Sequence, residues 1–161
     1  MKAIYPGSFD PITNGHLDVV KRTVRLFNEV IIAVLNNQDK KEDFISIKDR
    51  VELIKESVKD LKNVSVESFS GLTVEYAKNR GANVIIRGLR APSDFEYELE
   101  MSQTNYFLSS NLETLFIMTN PKYSFIRSSR VKEVASLGGD IKDFVPPPVY
   151  KYLYQNMGLK K

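Results

Sequence analysis

The 161 residues include no cysteine and no tryptophan, and only one histidine, His16. Without thiols there is no disulfide scaffold, no structural zinc cluster and no cysteine nucleophile. One imidazole cannot build a multi-histidine metal centre, so no metal site held by the chain itself is expected. No apolar run approaches the roughly 20 residues of a membrane span, and no membrane partner is expected. A strand-like segment starts at once, leaving no room for a signal peptide, so a cytoplasmic protein is expected. Charge is not one-sided either: 23 basic against 20 acidic side chains give a formal charge of +3. The pI is near 9.0, but bases and acids are interspersed rather than gathered in a stripe. That argues against a nucleic-acid partner and suits a local anion site.

Hydrophobic residues make up 42% of the chain and aromatics 11%, enough to fill one core, and residues 1–161 are read as a single domain. Short apolar runs rich in β-branched residues occur at Ala3-Ile4-Tyr5, Val30 to Leu35, Val64 to Val66, Val84-Ile85-Ile86 and Leu115 to Met118. Runs of this kind predict strands buried on both faces of a parallel sheet. Between them the period changes. Leu17, Val20, Val24 and Phe27 share one helical face, and Ile47, Val51, Ile54, Val58 and Leu61 share another. Ser46 with Asp49, and Ser93 with Glu96, read as capping boxes, the second opening a long helix over 93–109. A further helix is predicted from Ser128 or Ser129 to Gly138-Gly139, and a C-terminal helix from about 147, after Pro146-Pro147-Pro148, packs on the domain. Strands alternating with helices predict an α/β doubly wound fold. It has a five-stranded parallel sheet of order 3-2-1-4-5 with helices on both faces. Ligands then sit beyond the carboxyl ends of the strands where the order reverses.

Neither G-x-x-x-x-G-K-[ST] nor a G-x-G-x-x-G after the first strand is present, which argues against a P-loop hydrolase and a standard dinucleotide oxidoreductase. The first strand runs instead into Pro6-Gly7-Ser8-Phe9-Asp10-Pro11-Ile12-Thr13-Asn14-Gly15-His16. Two readings stand. One is a phosphate loop with His16 in the first turn of a helix, donating to a phosphate oxygen. The other is a generic turn with Thr13 as N-cap and a solvated His16. Arg87-Gly88-Leu89-Arg90, after the fourth strand, presents two cations and a bare backbone, or two surface arginines. Lys40 and Lys41 follow the second strand, and such a pair is ordinarily a solvated run. Glu98 is ordinarily a solvated helix residue. Tyr123 to Arg130 places hydroxyls, amides and cations at a helix start, more donors than one N-capping serine accounts for.

Taken together, Tyr5 to Pro11 with Thr13-Asn14-Gly15-His16 resemble the signature of the T/H-x-G-H nucleotidyltransferases. Ile86 to Arg90 followed by Asp94 to Glu98, then Tyr123 to Ile126, Ser128-Ser129 and Val131 to Val134, narrow the resemblance to the bacterial phosphopantetheine adenylyltransferase family. It covers almost the whole chain, and its Rossmann-like fold agrees with the periodicity. The resemblance implies transfer of the adenylyl group of ATP to 4′-phosphopantetheine, giving dephospho-coenzyme A and pyrophosphate, in coenzyme A synthesis. It implies magnesium as cofactor and a homohexamer as assembly. By similarity the ATP site comprises Ser8, Phe9, His16, Gly88, Leu89, Arg90, Glu98, Tyr123, Ser124, Phe125, Ile126, Arg127, Ser128 and Ser129. Ser8, Lys40, Leu72, Thr73 and Arg87 would bind phosphopantetheine, and His16, Lys40 and Arg90 would be catalytic. Ser8 stands where many relatives have threonine, and Arg127 where serine is common.

The roles fit the chemistry. The nucleophile is the acceptor's own phosphate, so no activated side chain is required, and catalysis rests on positioning and charge stabilisation. Lys40 and Arg87 would hold the attacking phosphate, and His16 would donate to the α-phosphate. Arg90, the helix start at Ser128 and Ser129, and Mg²⁺ would neutralise pyrophosphate. Glu98 would orient a ribose hydroxyl or a cation. The rival readings are a related transferase using CTP or another acceptor, and a non-catalytic nucleotide- or RNA-binding module. Phe95, Tyr97, Leu99, Met101, Tyr106, Phe107 and Leu108 are too many apolar groups for one helix stripe. They extend the core or form a subunit contact.

Overall fold

Every apolar run falls within a strand of one parallel sheet. The computed structural model describes residues 1–36 and 43–157. Its strands are β1 (Lys2–Gly7), β2 (Glu29–Leu35), β3 (Val64–Phe69), β4 (Val84–Leu89) and β5 (Glu113–Met118). They pair in the order β3-β2-β1-β4-β5, each pair parallel, with Ile4 beside Ile31 on one flank and Ile85 on the other. This is the expected doubly wound sheet.

The central strands alternate across the sheet as the two-residue pleat requires. Ala3, Tyr5, Val30, Ile32, Val34 and Ile86 join one apolar cluster with residues of α1 (Asn14–Thr23), α2 (Ile47–Val58), α5 (Ser128–Ser136) and α6 (Pro147–Met157). Ile4, Ile31, Ala33 and Ile85 join a second with Val74, Tyr76 and Ala77 of α3 (Thr73–Asn79). The C-terminal helix packs through Val149 and Leu153, and the Tyr152 hydroxyl donates to Asp49 on α2 at 3.0 Å.

Four local expectations are revised. Helix α1 stops at Thr23, and Phe27 reaches the core through the turn that follows rather than along the helix face. The long helix α4 (Pro92–Leu108) starts on Pro92, with Ala91 as cap, so Ser93 is not its N-cap. Proline's fixed φ suits a first helical position. Strands β3 and β5 lie at the two sheet edges, with Ser68 of β3 and Leu115 and Met118 of β5 exposed, so neither is buried on both faces. Helix α4 buries none of its residues: Phe95, Tyr97, Leu99, Met101, Tyr106, Phe107 and Leu108 are all exposed, Phe107 to 88%, and they do not extend the core. The less exposed positions are Asp94, Glu98, Ser102 and Asn105, spaced four, four and three residues apart. The helix thus turns a polar stripe to the protein and leaves seven large apolar side chains, interspersed with Glu96 and Glu100, exposed, unlike an ordinary surface helix.

A buried ion pair fixes the β1–α1 connection. Arg50 lies on the apolar stripe of α2, between Ile47 and Ile54, and its side chain is only 2% exposed. Its guanidinium meets Asp10 at 3.3 Å and Asp43, and donates to the carbonyls of Ile45 and Ser8. Asp10 also accepts the amides of Phe44 and Ile45, and Lys132 of α5 stands 3.5 Å away. Removing one member of such a pair leaves an uncompensated buried charge. Arg50→Ala should lower unfolding free energy by about 3–5 kcal/mol in urea melts. A loss below about 1 kcal/mol would mean that Lys132 alone suffices for Asp10.

Candidate active site

Strands β1 and β4 are neighbours, but the chain leaves them for opposite sides of the sheet. Their carboxyl ends therefore border a cleft that no crossover covers. The cleft is about 420 Å³, within the range of small-ligand sites. Its walls come from the β1–α1 loop, the end of β4, α4 and the start of α5.

On the β1 side, Thr13 caps α1 in a reciprocal arrangement. The Thr13 hydroxyl accepts from the His16 amide at 3.3 Å, and the Thr13 amide donates to His16 Nδ1 at 3.0 Å. His16 takes the place that glutamate usually holds in a capping box. An amide can only donate, so Nδ1 must accept, and the ring proton resides on Nε2. Burial, then the nearby Arg90 and Arg87 charges, lower the His16 pKa from 6.5 to about 4. The imidazole is thus a neutral donor lining the cleft. Beneath it the Phe9 ring meets His16 edge-on at 5.1 Å and Tyr5 at 5.3 Å. Phe9 has φ of 44°, and a Cβ on Gly7 would lie 3.0 Å from its ring, so glycine there leaves the ring room to fold back. Burial also keeps the Tyr5 hydroxyl neutral.

From the β4 side come two arginines, each answered by an acid of α4. Arg87 Nε and Nη2 donate to Glu98 at 2.6 Å each, and Nη1 donates to the Pro6 carbonyl at 3.0 Å. Arg90 Nε and Nη2 donate to Asp94 at 3.1 and 3.3 Å, and its amide does so too. Burial opposes ionisation of Asp94, but the Arg90 amide and guanidinium, with Arg127 nearby, outweigh it and hold the carboxyl below the usual range. Gly88 lets α1 approach β4: a Cβ there would lie 3.1 Å from Val19 and 3.3 Å from the Tyr5 hydroxyl.

The third wall is the start of α5. Its cap position is Arg127, with no side-chain capping bond, and the Ser128 hydroxyl instead donates to the Pro11 carbonyl at 2.8 Å. Ser128 is therefore not an N-cap, and the first-turn amides remain available to an anion. Arg127 lines the cleft half-exposed, 3.9 Å from Asp94. A pocket with a neutral donor, three guanidinium groups and a free helix N-terminus is suited to phosphate groups.

The cytidylyltransferase-like family matches residues 4–134 of the sequence. The chain belongs to the cytidylyltransferase-like family. Among solved structures, one described as a nicotinate-nucleotide adenylyltransferase from Vibrio parahaemolyticus is similar at 19% identity, with a TM-score of 0.69 over 94% of this chain and 97% of that one. At that identity the likeness is one of fold. This cytidylyltransferase-like chain is a nucleotidyltransferase by family, and among its described residues no helix is long and apolar enough to cross a membrane.

The structure brings Ser8, Phe9, His16, Arg87, Gly88, Arg90, Glu98, Ile126, Arg127, Ser128 and Ser129 together in the cleft wall. Leu89 is buried, its carbonyl bonded to the Thr119 amide at 2.7 Å. Tyr123 and Ser124 belong to a short 3₁₀ turn and its cap, and Phe125, 61% exposed, packs on Phe144. Leu72 and Thr73 stand past β3, outside the wall. Lys40, like Lys41, lies outside the described residues. Glu98 is not a solvated residue: both of its oxygens are occupied by Arg87. Sequence reasoning missed Asp94 as partner of Arg90, and Asp10 with Arg50 as anchor of the loop. Arg50 was detectable, since it shares the helical stripe of Ile47 and Ile54.

With one histidine in the chain, its titration is directly readable. The His16 ring resonances should report a pKa of about 4. Below pH 6.5 the unfolded chain binds a proton that the folded one refuses, so stability from this group falls as pH drops from 6.5 towards 4. A His16 titration near 6.5 would contradict the neutral ring lining the cleft.

Proposed function

We propose that this chain is a pantetheine-phosphate adenylyltransferase, transferring the adenylyl group of ATP to 4′-phosphopantetheine. One observation carries this: the neutral His16 donor, the paired Arg87 and Arg90 and the uncapped start of α5 converge on one cleft at the β1–β4 reversal. The sequence elements around them, Ile86 to Arg90, Asp94 to Glu98 and Tyr123 to Ser129, are those that resemble the phosphopantetheine family.

In this reaction an oxygen of the acceptor phosphate attacks the α-phosphorus of ATP. The bond from that phosphorus to the bridging oxygen breaks, and pyrophosphate leaves with the electron pair. The attacking oxygen is already anionic, so no general base is needed, and the barrier lies in bringing two anions together. Lys40 and Arg87 hold the acceptor phosphate, with Thr73 and Leu72 towards the pantetheine arm. His16 Nε2–H donates to a non-bridging α-phosphate oxygen as charge develops there. Being neutral, it gives the hydrogen bond without losing its proton. Arg90, with Arg127 and the amides at Ser128 and Ser129, faces the departing pyrophosphate. Glu98 acts by orienting Arg87, the cation alternative of its two expected tasks. Asp94 and Glu98 are both closed by arginine, which fits a magnesium ion held by the nucleotide's phosphates rather than by side chains. Bound there, it supplies charge neutralisation for the leaving group.

The exposed apolar surface of α4 supports a homohexamer in which another copy covers it. The same reading places the enzyme in the cytoplasm.

Incubation with ATP, Mg²⁺ and a panel of phosphate acceptors, nicotinate mononucleotide included, should yield dephospho-coenzyme A and pyrophosphate only with 4′-phosphopantetheine. Adenylylation of a different acceptor alone would reassign the substrate. His16→Ala should lower turnover about 10²–10³-fold with little change in ATP affinity. Turnover within a few-fold of the parent enzyme would remove His16 from that role. Lys40→Ala should weaken phosphopantetheine binding in calorimetry. Phe107→Glu should shift the light-scattering mass from six copies to fewer, and an unchanged mass would place the subunit contact elsewhere.

A further inference from the structure

The two acids on the inward stripe of α4 sit where a phosphate site would be expected to exclude them. Asp94 and Glu98 are one helical turn apart, and they pair with Arg90, just past β4, and with Arg87 of β4. Of the five N–H donors of a guanidinium, Arg87 gives two to Glu98 and one to Pro6, while Arg90 gives two to Asp94. Arg87 keeps two donors and Arg90 three, so a phosphate can be held without displacing either carboxylate. The carboxylates still repel it.

We infer that Asp94 and Glu98 are resident counter-anions: they fix the planes of Arg90 and Arg87 while lowering the cleft's affinity for phosphate, so that a doubly or triply charged product can leave. This rests on the reading that the cleft binds phosphate groups, and it assigns to α4 a positioning role in the release of products. Three features support it over a structural role for the pairs. Both sites pair an arginine from the same strand end with an acid from the same helix. Glu96 and Glu100, on the outward side of the same helix, form no ion pair among the described residues and line no part of the cleft. The stripe also costs α4 its apolar anchoring, since no residue of this helix is buried, so stability of the helix does not account for it.

Inorganic pyrophosphate tests this without dependence on the acceptor, because it carries neither ribose nor pantetheine. In titration calorimetry at low ionic strength, Glu98→Gln should tighten pyrophosphate binding about tenfold, as expected for removing one like charge a few ångströms away. Asp94→Asn should do the same independently, so misfolding of one variant leaves the other informative. Glu96→Gln should change binding less than about twofold, which separates a local effect from net charge. Removing Arg87 as well, in Arg87→Gln/Glu98→Gln, should return affinity to the parent level. A second readout is kinetic: Glu98→Gln should show a burst of product followed by slower steady turnover.

Weaker or unchanged pyrophosphate binding in both acid variants, with binding intact in the parent protein, would overturn the counter-anion role while leaving the proposed reaction standing. Loss of adenosine binding in Glu98→Gln with pyrophosphate binding unchanged would make Glu98 a ribose contact instead. If the parent protein binds neither pyrophosphate nor ATP, the phosphate cleft itself fails, and the counter-anion role with it.

Discussion

The order of the strands is the constraint from which the rest follows. After β1 the chain winds outward through β2 to β3, then crosses back to lay β4 against the other flank of β1. Right-handed crossovers put α1 and α2 on one face and α3 on the other, so the two central strands end without a common cover. Backbone donors and side chains at those ends are held by the sheet behind them and open to ligand in front. A parallel sheet with its strands in sequence order would have had no such opening between β1 and its neighbour.

Within that opening, one capping box sets both the backbone and the chemistry. Thr13 starts α1 by taking the His16 amide, and His16 answers through Nδ1. The helix start and the histidine tautomer are thus one event: shifting the helix by a residue would also free the ring. The supports behind it are of different kinds. Phe9 holds a left-handed backbone conformation that a non-glycine residue adopts only under surrounding constraint, and its ring fills the space beneath the imidazole. Asp10, next in sequence, is held by Arg50, by two amides and by Lys132. The loop is pinned to α2 through Arg50 and to α5 through Lys132 and Ser128, so facing walls of the cleft share an anchor.

How far this could be read from sequence depended on whether the relevant signal was local. The sheet was legible because buried strands announce themselves as unbroken β-branched runs, and the Thr13 cap because hydroxyl and helix lie three residues apart. The convergence of residues 6–16 with 87–90 followed from topology, once the order was inferred. Partners were harder. That Glu98 closes Arg87, or that Arg50 is buried on Asp10, depends on which elements meet in space, and neither acid nor base carries that in its neighbours. Ser93 and Glu96 matched a capping pattern, yet the helix opens on Pro92 after Ala91, so both residues fall inside its first turns. The surplus of apolar residues on α4 was visible, but composition alone does not say which side of a helix meets the sheet.

Helix α4 joins these strands of reasoning. A surface helix is normally held by buried apolar side chains, and here none of the helix's residues is buried. At the cleft α4 meets the sheet end through its two acid–arginine pairs and the edge-on contact of Phe95 with Phe116 at 5.9 Å. Ion pairs near a surface stabilise little on their own, so the helix is an economical element only if its outer face is covered as well. In the proposed assembly a second copy supplies that cover. The position of Asp94 and Glu98, and through them the planes of Arg90 and Arg87, then depends on a contact made outside the subunit. A domain that kept its arginines in place with buried apolar packing would need no such neighbour, but it would leave both cations uncompensated and its products harder to release.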